Sequence, residues 1–278
     1  MPELPEVETV RRGLNQTTLG RKITGGEVFL PRTLAHPFSS DAFDRGIAGS
    51  SIETWNRRGK YLLASLDNGS TLGVHLRMTG QLLWVDTDSP LAVHTRIRFR
   101  FEGENELRFV DTRTFGKIWW IPAGEPPESV MTALQTLGLE PLSDTFTPDY
   151  FYRKSRGSRR NIKTFLLDQT VIAGIGNIYA DEALFKSGID PRTLANELTE
   201  EQTKDLTNAI IYVLTESIER GGTSFRDFRH VTGINGNYGA AAWVYGRSGE
   251  NCRVCGTGIE RVKLGGRSTH FCPSCQRR

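Results

Sequence analysis

The residues best suited to covalent chemistry stand at the start of the chain, which begins Met1-Pro2-Glu3-Leu4-Pro5-Glu6. Removal of Met1, which a small second residue favours, would leave Pro2 as a free secondary amine. An α-amino group titrates near about 8, far below lysine, so a useful fraction is unprotonated at neutral pH. Such an amine attacks a carbonyl-like carbon and forms an imine-type intermediate. Glu3 lies beside it as a proton donor and acceptor. The same residues also suit a plain helix start, because Pro5 fits the first turn and Glu6 and Glu8 favour the positive end of the helix dipole.

The other end of the chain holds a second constellation. All four cysteines fall in the last 27 residues, as Cys252-x2-Cys255 and Cys272-x2-Cys275 with 16 residues between the pairs. Two close pairs at this separation read as a closed, structural, tetrahedral zinc site. Two disulfides are the alternative. The chain starts polar and charged, without an apolar secretory segment, so a reducing, cytoplasmic compartment is expected, where disulfides are rare. Between the pairs, 260–263 reads as a strand, Gly265-Gly266 as a two-residue hairpin turn and 268–271 as the return strand. Arg267 then stands just past an exposed tip that the metal would make rigid.

The elements that must position these groups read as two halves. A chain of 278 residues favours two domains, and with 37% hydrophobic residues and no long apolar run a membrane span is not expected. Val7, Val10 and Leu14 recur at helical spacing over about 5–18, with Gly20 as a stop. Residues 61–66 and 71–74 read as strands around a turn at Asp67-Asn68-Gly69-Ser70. Residues 95–101 alternate polar and apolar, 102–105 turn, and 107–110 return. So many hairpins close most naturally as an antiparallel sandwich. Past Gly138 the character changes, and helices are expected at about 148–155, 159–168, 177–187, 199–219 and 223–229. The predicted fold is α+β: a β-sandwich domain with an N-terminal helix over 1–138, a linker over 139–147, a helical domain over 148–243 and a four-cysteine ribbon over 244–278.

Charge is distributed unevenly over these halves. Residues 1–150 carry 16 basic and 19 acidic side chains, whereas 151–278 carry 19 and 13, within a net charge of +3. Arg153, Lys154, Arg156, Arg159, Arg160 and Lys163 follow one another with no acidic residue between them. A polyanionic partner explains such a run, and so does a solvated helix face. Gly174-Ile175-Gly176-Asn177, placed before a helix, makes a tight turn whose backbone N–H groups and Asn177 amide could take an anion; a helix cap without a ligand is the alternative. Met78 and the pair Arg113 and Phe115 lie on glycine-terminated turns after strands. A wedge, an aromatic plate and an arginine on loop tips are the parts needed to enter a duplex and fill a gap. On sequence alone, Met78 and Phe115 are expected as core residues beneath those loops. Arg57-Arg58-Gly59-Lys60 adds a loop-like basic group.

Taken together and in this order, these motifs resemble the bacterial formamidopyrimidine-DNA glycosylases, the 8-oxoguanine glycosylases of the helix-two-turn-helix superfamily. The resemblance runs end to end. It rests on Pro2 to Glu8, Arg58-Gly59-Lys60-Tyr61, His75 to Gly80, Asp111 to Gly116, Gly174 to Glu182, Val244-Tyr245-Gly246-Arg247 and the four-cysteine ribbon.

The resemblance implies a bifunctional glycosylase and abasic-site lyase acting on damaged double-stranded DNA, with one structural zinc and no catalytic cofactor; with no coiled-coil pattern or obvious interface in the sequence, a monomer without an obligate protein partner is expected. It implies Pro2 as the nucleophile at C1′ of the damaged nucleotide, and Glu3 as the group that moves protons. Lys60 would bind the phosphate beside the lesion, and Arg267 and Asn177 would clamp phosphates. His75, His94 and Lys163 would make further phosphate contacts. Met78, Arg113 and Phe115 would fill the space of the everted base, and Thr223 and Tyr238 would belong to the loop that closes over it. Thr114 stands where larger or basic residues are common in the family, with little consequence expected. Two other readings stay open: the sister enzyme that removes oxidised pyrimidines, which typically begins Pro-Glu-Gly-Pro where this chain has Leu4, and a zinc-ribbon DNA-binding protein without catalysis.

Overall fold

A computed structural model describes residues 1–223, 231 and 238–278, with the side chain of Tyr238 left out. The predicted helix at 223–229 therefore lies outside the described residues beyond its first residue. The chain divides into two compact units, Met1–Gln135 with Gly221–Asn237, and Thr136–Arg220 with Tyr238–Arg278.

The first unit opens with α1 (Leu4–Thr18), which Glu3 caps through a reciprocal box with Glu6. Two sheets follow. One has the order β1-β7-β8-β6 and the other β2-β9-β5-β4-β3. The strands are β1 (Ile23–Val28), β2 (Leu34–His36), β3 (Ile52–Arg58), β4 (Tyr61–Leu66), β5 (Thr71–His75), β6 (Gly80–Asp86), β7 (Thr95–Phe101), β8 (Asn105–Asp111) and β9 (Lys117–Ile121). The expected antiparallel pairing holds with one departure: the short β2 runs parallel to β9. A second helix, α2 (Ser40–Ile47), packs on β1, and a single turn, α3 (Pro127–Val130), follows β9.

One continuous core joins both sheets and α1, from Val7, Val10 and Leu14 through Trp55, Leu62 and Val74 to Leu82, Ile97 and Phe109. Strand alternation supplies the inward side chains. Trp55 pins α1 to β3. Its backbone N–H donates to Asn15 Oδ1 at 2.8 Å, its carbonyl accepts from Asn15 Nδ2 at 3.0 Å, and its indole N–H donates to Thr18 Oγ1 at 3.0 Å.

The second unit carries α4 (Pro148–Arg156), α5 (Ile162–Leu166), α6 (Asn177–Lys186) and α7 (Glu200–Glu219), then the ribbon β10 (Glu260–Leu264) and β11 (Arg267–Phe271). Helix α6 is buried along nearly its whole length, between α7 and β11. The stretch expected as a linker is no free tether. Gly138 N–H donates to the Gln169 carbonyl at 2.8 Å, and Ala173 N–H to the Leu139 carbonyl at 2.9 Å, so the chain is already paired within this unit. Helix α5 is shorter than expected because Asn161 caps it and the residues before it pair with Leu194 and Ala195.

Trp55→Ala removes the largest buried side chain of the first core and the indole N–H bond to Thr18, while the backbone bonds to Asn15 remain. A loss of about 3–5 kcal/mol is expected, read as a lower urea midpoint with an unchanged slope.

Candidate active site and nucleic-acid interface

The N-terminal residues are held from behind. Pro2 and Glu3 are buried, and Glu3 is the N-cap of α1. Glu6, one turn on, accepts the Glu3 N–H at 2.8 Å through one carboxylate oxygen and the Thr223 N–H at 2.7 Å through the other. Gly222, at φ +80°, passes so close to Glu6 that a β-carbon there would meet it at 3.2 Å. Glu6 thus ties the start of α1 to the chain at 222–223. The sequence reading gave Glu6 only a dipole role; its three-residue spacing from Glu3 was the available signal. Thr223 is buried at this junction. The rest of the loop expected to close over a base, 224–230 and 232–237, lies outside the described residues.

Lys60 occupies a two-residue hairpin turn between β3 and β4, after Gly59 at φ +56°, and is buried. Beside it Arg57 pairs with Glu8 at 3.2 Å. Glu8 also meets Arg11 and Arg12; burial raises its carboxyl, and these three guanidiniums outweigh that and hold it below the usual carboxylate range.

His75 ends β5, edge-on to Tyr61 with ring centroids 4.5 Å apart. Burial first, and then the Arg77 and Lys60 cations, push its imidazole down to about 3. Its Nδ1 accepts the Arg77 N–H at 3.0 Å, so the neutral ring carries its proton on Nε2. A phosphate at His75 would be held by a hydrogen bond rather than by charge.

The two wedge loops are one structure. Met78 is 37% exposed and Phe115 50%, so the core placement expected from sequence is wrong for both. Arg113 is exposed and lies over the Phe115 ring at 5.1 Å. Behind them sits Asp111, fully buried at the end of β8. It accepts from Thr79 Oγ1 at 2.5 Å, from the Arg113 N–H at 3.2 Å and from the Gly116 N–H at 2.8 Å. Arg113 N–H also donates to Thr79 Oγ1 at 3.0 Å. Asp111 N–H in turn donates to the carbonyl of His94, whose exposed ring stands at the same end of the sheet. The glycines that close these loops have a shared reason: a β-carbon at Gly80 or Gly116 would strike the Phe109 ring. Thr114, expected to matter little, is one of two described non-glycine residues with left-handed backbone, at φ 59°, and its hydroxyl accepts from Arg32 at 2.6 Å.

In the second unit the turn before α6 is more closed than expected. Gly174, Ile175 and Gly176 are buried, and the Gly174 N–H donates inward to Gln169 Oε1 at 2.9 Å. Asn177 is the partly exposed residue of the turn; its Nδ2 donates to the Ser268 carbonyl at 2.8 Å, next to the exposed Arg267. The hairpin tip rests on α5, where a β-carbon on Gly265 would collide with Thr164.

Lys163 requires correction. Expected as a phosphate contact, it is fully buried and paired with Asp181 at 2.5 Å, with Nζ also donating to the Asn177 carbonyl at 2.8 Å. The basic run around it is largely engaged on its own unit. Arg153 pairs with Asp149 at 3.1 Å, Arg160 with Asp168 at 2.8 Å, and Arg156 bonds the Asn196 carbonyl. Asp181 and Glu182 were not singled out for any role by sequence reasoning. Glu182 accepts N–H groups from Trp243, Val244 and Tyr245 at 2.7–3.0 Å. Burial pushes its carboxyl above the ordinary range against the pull of these donors.

The four cysteine sulfurs lie within 4.8 Å of one another. Cys252 and Cys275 are 3.9 Å apart, and Cys255 and Cys272 3.5 Å. Thiolates at about 2.3 Å from a tetrahedral zinc stand roughly 3.8 Å apart, so the set fits the ion. The same distances rule out the disulfide alternative. Backbone N–H groups of Val254 and Cys275 point at Cys252 and Cys272 sulfurs, at 3.5 and 3.4 Å.

Comparison with known proteins follows the same division. Residues 1–118 match the formamidopyrimidine-DNA glycosylase N-terminal domain, 137–229 the formamidopyrimidine-DNA glycosylase H2TH domain, and 249–278 the zinc finger found in FPG and IleRS. A formamidopyrimidine-DNA glycosylase of Trichormus variabilis is 62% identical over 99% of this chain and 100% of its own length. The chain belongs to the formamidopyrimidine-DNA glycosylase family. It is thus a DNA glycosylase of base-excision repair, and its cysteines bind one structural zinc ion. A family member from Crocosphaera subtropica is 63% identical over 99% of this chain and 98% of its own length. A complex of the Lactococcus lactis Fpg with abasic-site DNA superposes with a TM-score of 0.91 at 36% identity, covering 99% of this chain and 100% of that one. A MutM complex with DNA containing carbocyclic 8-oxo-G gives 0.90 at 37% identity, with both chains fully covered.

Two predictions follow from this geometry. His75 binds its proton less readily folded, at about 3, than unfolded, near 6.5. The stability this supplies is therefore complete above about pH 6.5 and is lost as the pH falls toward 3. Imidazole resonances of His75 should not titrate between about pH 5 and 8, and His75→Gln should flatten the acid limb of the stability curve; a resonance titrating like a free imidazole contradicts this. For the loops at 76–79 and 112–116, Asp111→Ala leaves the Thr79 hydroxyl and the Gly116 N–H without their acceptor and should cost about 2–4 kcal/mol in urea unfolding.

Proposed function

We propose that this glycosylase excises oxidised purines, 8-oxoguanine and formamidopyrimidines, from duplex DNA and then cuts the abasic strand by β,δ-elimination. The observation that carries the reading is the Pro2–Glu3 pair, buried at the cap of α1 and braced by Glu6, in a chain of this family. The reading requires loss of Met1, whose side chain is half exposed.

A base inside the stack is out of reach, so it is flipped out at a cost of a few kcal/mol. Met78, Arg113 and Phe115 enter the duplex and occupy the gap, with Arg113 facing the orphaned cytosine. Lys60, His75 and His94 contact the lesion strand's phosphates from the first unit, and Asn177 and Arg267 clamp phosphates from the second. The Pro2 nitrogen attacks C1′, and the bond from C1′ to the base breaks. The sugar ring opens as O4′ takes a proton from Glu3, leaving an iminium between Pro2 and C1′. The iminium acidifies the C2′ proton; its removal expels the 3′ phosphate, and a second elimination expels the 5′ phosphate. Thr223 and Tyr238 begin and end the loop that covers the everted base. The zinc ion takes no part in these steps and holds the ribbon that carries Arg267. The enzyme would work in the cytoplasm, on chromosomal DNA.

Borohydride trapping on a duplex with one 8-oxoguanine opposite cytosine tests the reading. Wild type should give a covalent adduct and strand scission, whereas Pro2→Gly should bind the duplex without trapping, and Glu3→Gln should lose excision by at least about 100-fold. Preferential release of thymine glycol would make it the oxidised-pyrimidine enzyme instead. An absent adduct from protein shown by intact mass to lack Met1 would refute the chemistry.

A further inference from the structure

Lys163 and Asp181 form an ion pair in which both side chains are fully buried. Such a pair is a poor device for stability alone, because desolvating two charges costs as much as their attraction returns, and apolar side chains of similar size do as well. What a charge pair supplies and an apolar pair does not is direction. The partners of Asp181 show where that direction is used. It lies on α6 one turn after Asn177, so the two share a face. One carboxylate oxygen takes the Lys163 ammonium at 2.5 Å. The other accepts the His270 backbone N–H at 3.0 Å and meets His270 Nδ1 at 3.2 Å. Lys163 closes the loop of contacts by donating to the Asn177 carbonyl at 2.8 Å, and the Asn177 side chain bonds the Ser268 carbonyl at 2.8 Å. The carboxylate thus joins α5, the start of α6 and the strand whose first residue is Arg267.

We infer that Asp181 is the positioning residue of the phosphate clamp: by locking residues 268–270 onto α6 it sets the separation and direction of Asn177 and Arg267, so that both reach one stretch of phosphodiester backbone. The inference rests on the clamp roles proposed above for those two residues. Neither Asp181 nor Lys163 touches DNA; they act through the residues they hold.

The test uses Lys163→Met with Asp181→Leu, which removes both charges together and leaves none unpaired. The probe is a fluorescent duplex containing a tetrahydrofuran abasic analogue, followed by anisotropy across a salt series, with zinc content and thermal melting measured alongside. The double variant should keep one zinc and a cooperative melt, bind about tenfold more weakly, and show a salt dependence shallower by about one unit of slope, the signature of one lost phosphate contact. Adding Arg267→Ala should cost about tenfold or more in the wild-type background and less than about threefold in the double variant. A merely structural pair would leave the Arg267→Ala effect the same size in both backgrounds, and that result overturns the inference, as does full affinity of the double variant. If the double variant loses its zinc, His270→Pro, which keeps the ion pair but removes both the N–H and the ring that meet Asp181 at an edge position outside the ribbon ladder, carries the same test and should show the same masking of Arg267→Ala; additivity there overturns the inference. If Asn177→Ala and Arg267→Ala leave wild-type binding unchanged, the clamp reading itself has failed and takes this inference with it.

Discussion

A side chain proposed to meet DNA cannot be held in place by burying itself, and this constraint runs through both units. Met78, Arg113, Phe115 and Arg267 all face solvent. Their loops have little apolar surface of their own to hide, so they are fastened from behind by buried carboxylates. Glu6 holds the start of α1 to residues 222–223, Asp111 holds the two wedge loops, Asp181 holds β11, and Glu182 holds the backbone of 243–245. Glu6, Asp111 and Glu182 spend their lone pairs chiefly on backbone N–H groups, whereas Asp181 divides its own between the Lys163 ammonium and His270. A buried carboxylate without such donors costs several kcal/mol, and one fully supplied fixes the geometry of every donor it touches.

The choice of backbone donors has a consequence for how the site tolerates change. A carboxylate that grips main-chain N–H groups positions a loop whatever side chains the loop carries. The residues that touch a substrate can then vary while the frame stays the same. The arrangement also divides the labour of zinc and protein in the ribbon. The ion fixes the knuckles at Cys252–Cys255 and Cys272–Cys275, near the base of the hairpin, and Asp181 holds β11 through His270, one pair from that base, whereas Asn177, through Ser268, fixes the far end where Arg267 stands. Neither anchor alone defines both the position and the rotation of a two-stranded ribbon.

Much of the frame was legible in the sequence because it rests on local rules. The alternation over Thr95–Phe101, the Asn68-Gly69 turn and the Gly265-Gly266 hairpin all depend on neighbours a few residues away, and the cysteine spacing identifies its own metal. What escaped depends on distant partners. The shortening of α5 comes from pairing with Leu194 and Ala195, and the parallel β2–β9 pair spans more than half of the first unit. Lys163 was read by charge as part of a basic face, yet its partner Asp181 lies 18 positions away on another helix, so nothing in the run itself marked it as buried. Met78 and Phe115 were misplaced for the converse reason: residue type favours burial, and only the turn geometry turns them outward.

That turn geometry is strained where function would need it to be. Arg77 and Thr114 are the two described non-glycine residues with left-handed backbone, at φ 54° and 59°, and they adjoin Met78 and the pair Arg113 and Phe115. The conformation costs a non-glycine residue about 1–2 kcal/mol, more for a β-branched one such as threonine. Each is offset by a specific bond: Arg77 N–H to the neutral His75 ring, and the Arg32 guanidinium to the Thr114 hydroxyl. The first of these bonds exists only while His75 is unprotonated, since a protonated Nδ1 accepts nothing. The depressed basicity of His75 is therefore part of what keeps the Met78 loop in its outward form, and His75 is buried at the end of the strand from which that loop crosses to the other sheet. Sheet, histidine and wedge are in this sense one mechanical unit, with Asp111 closing it from the opposite loop.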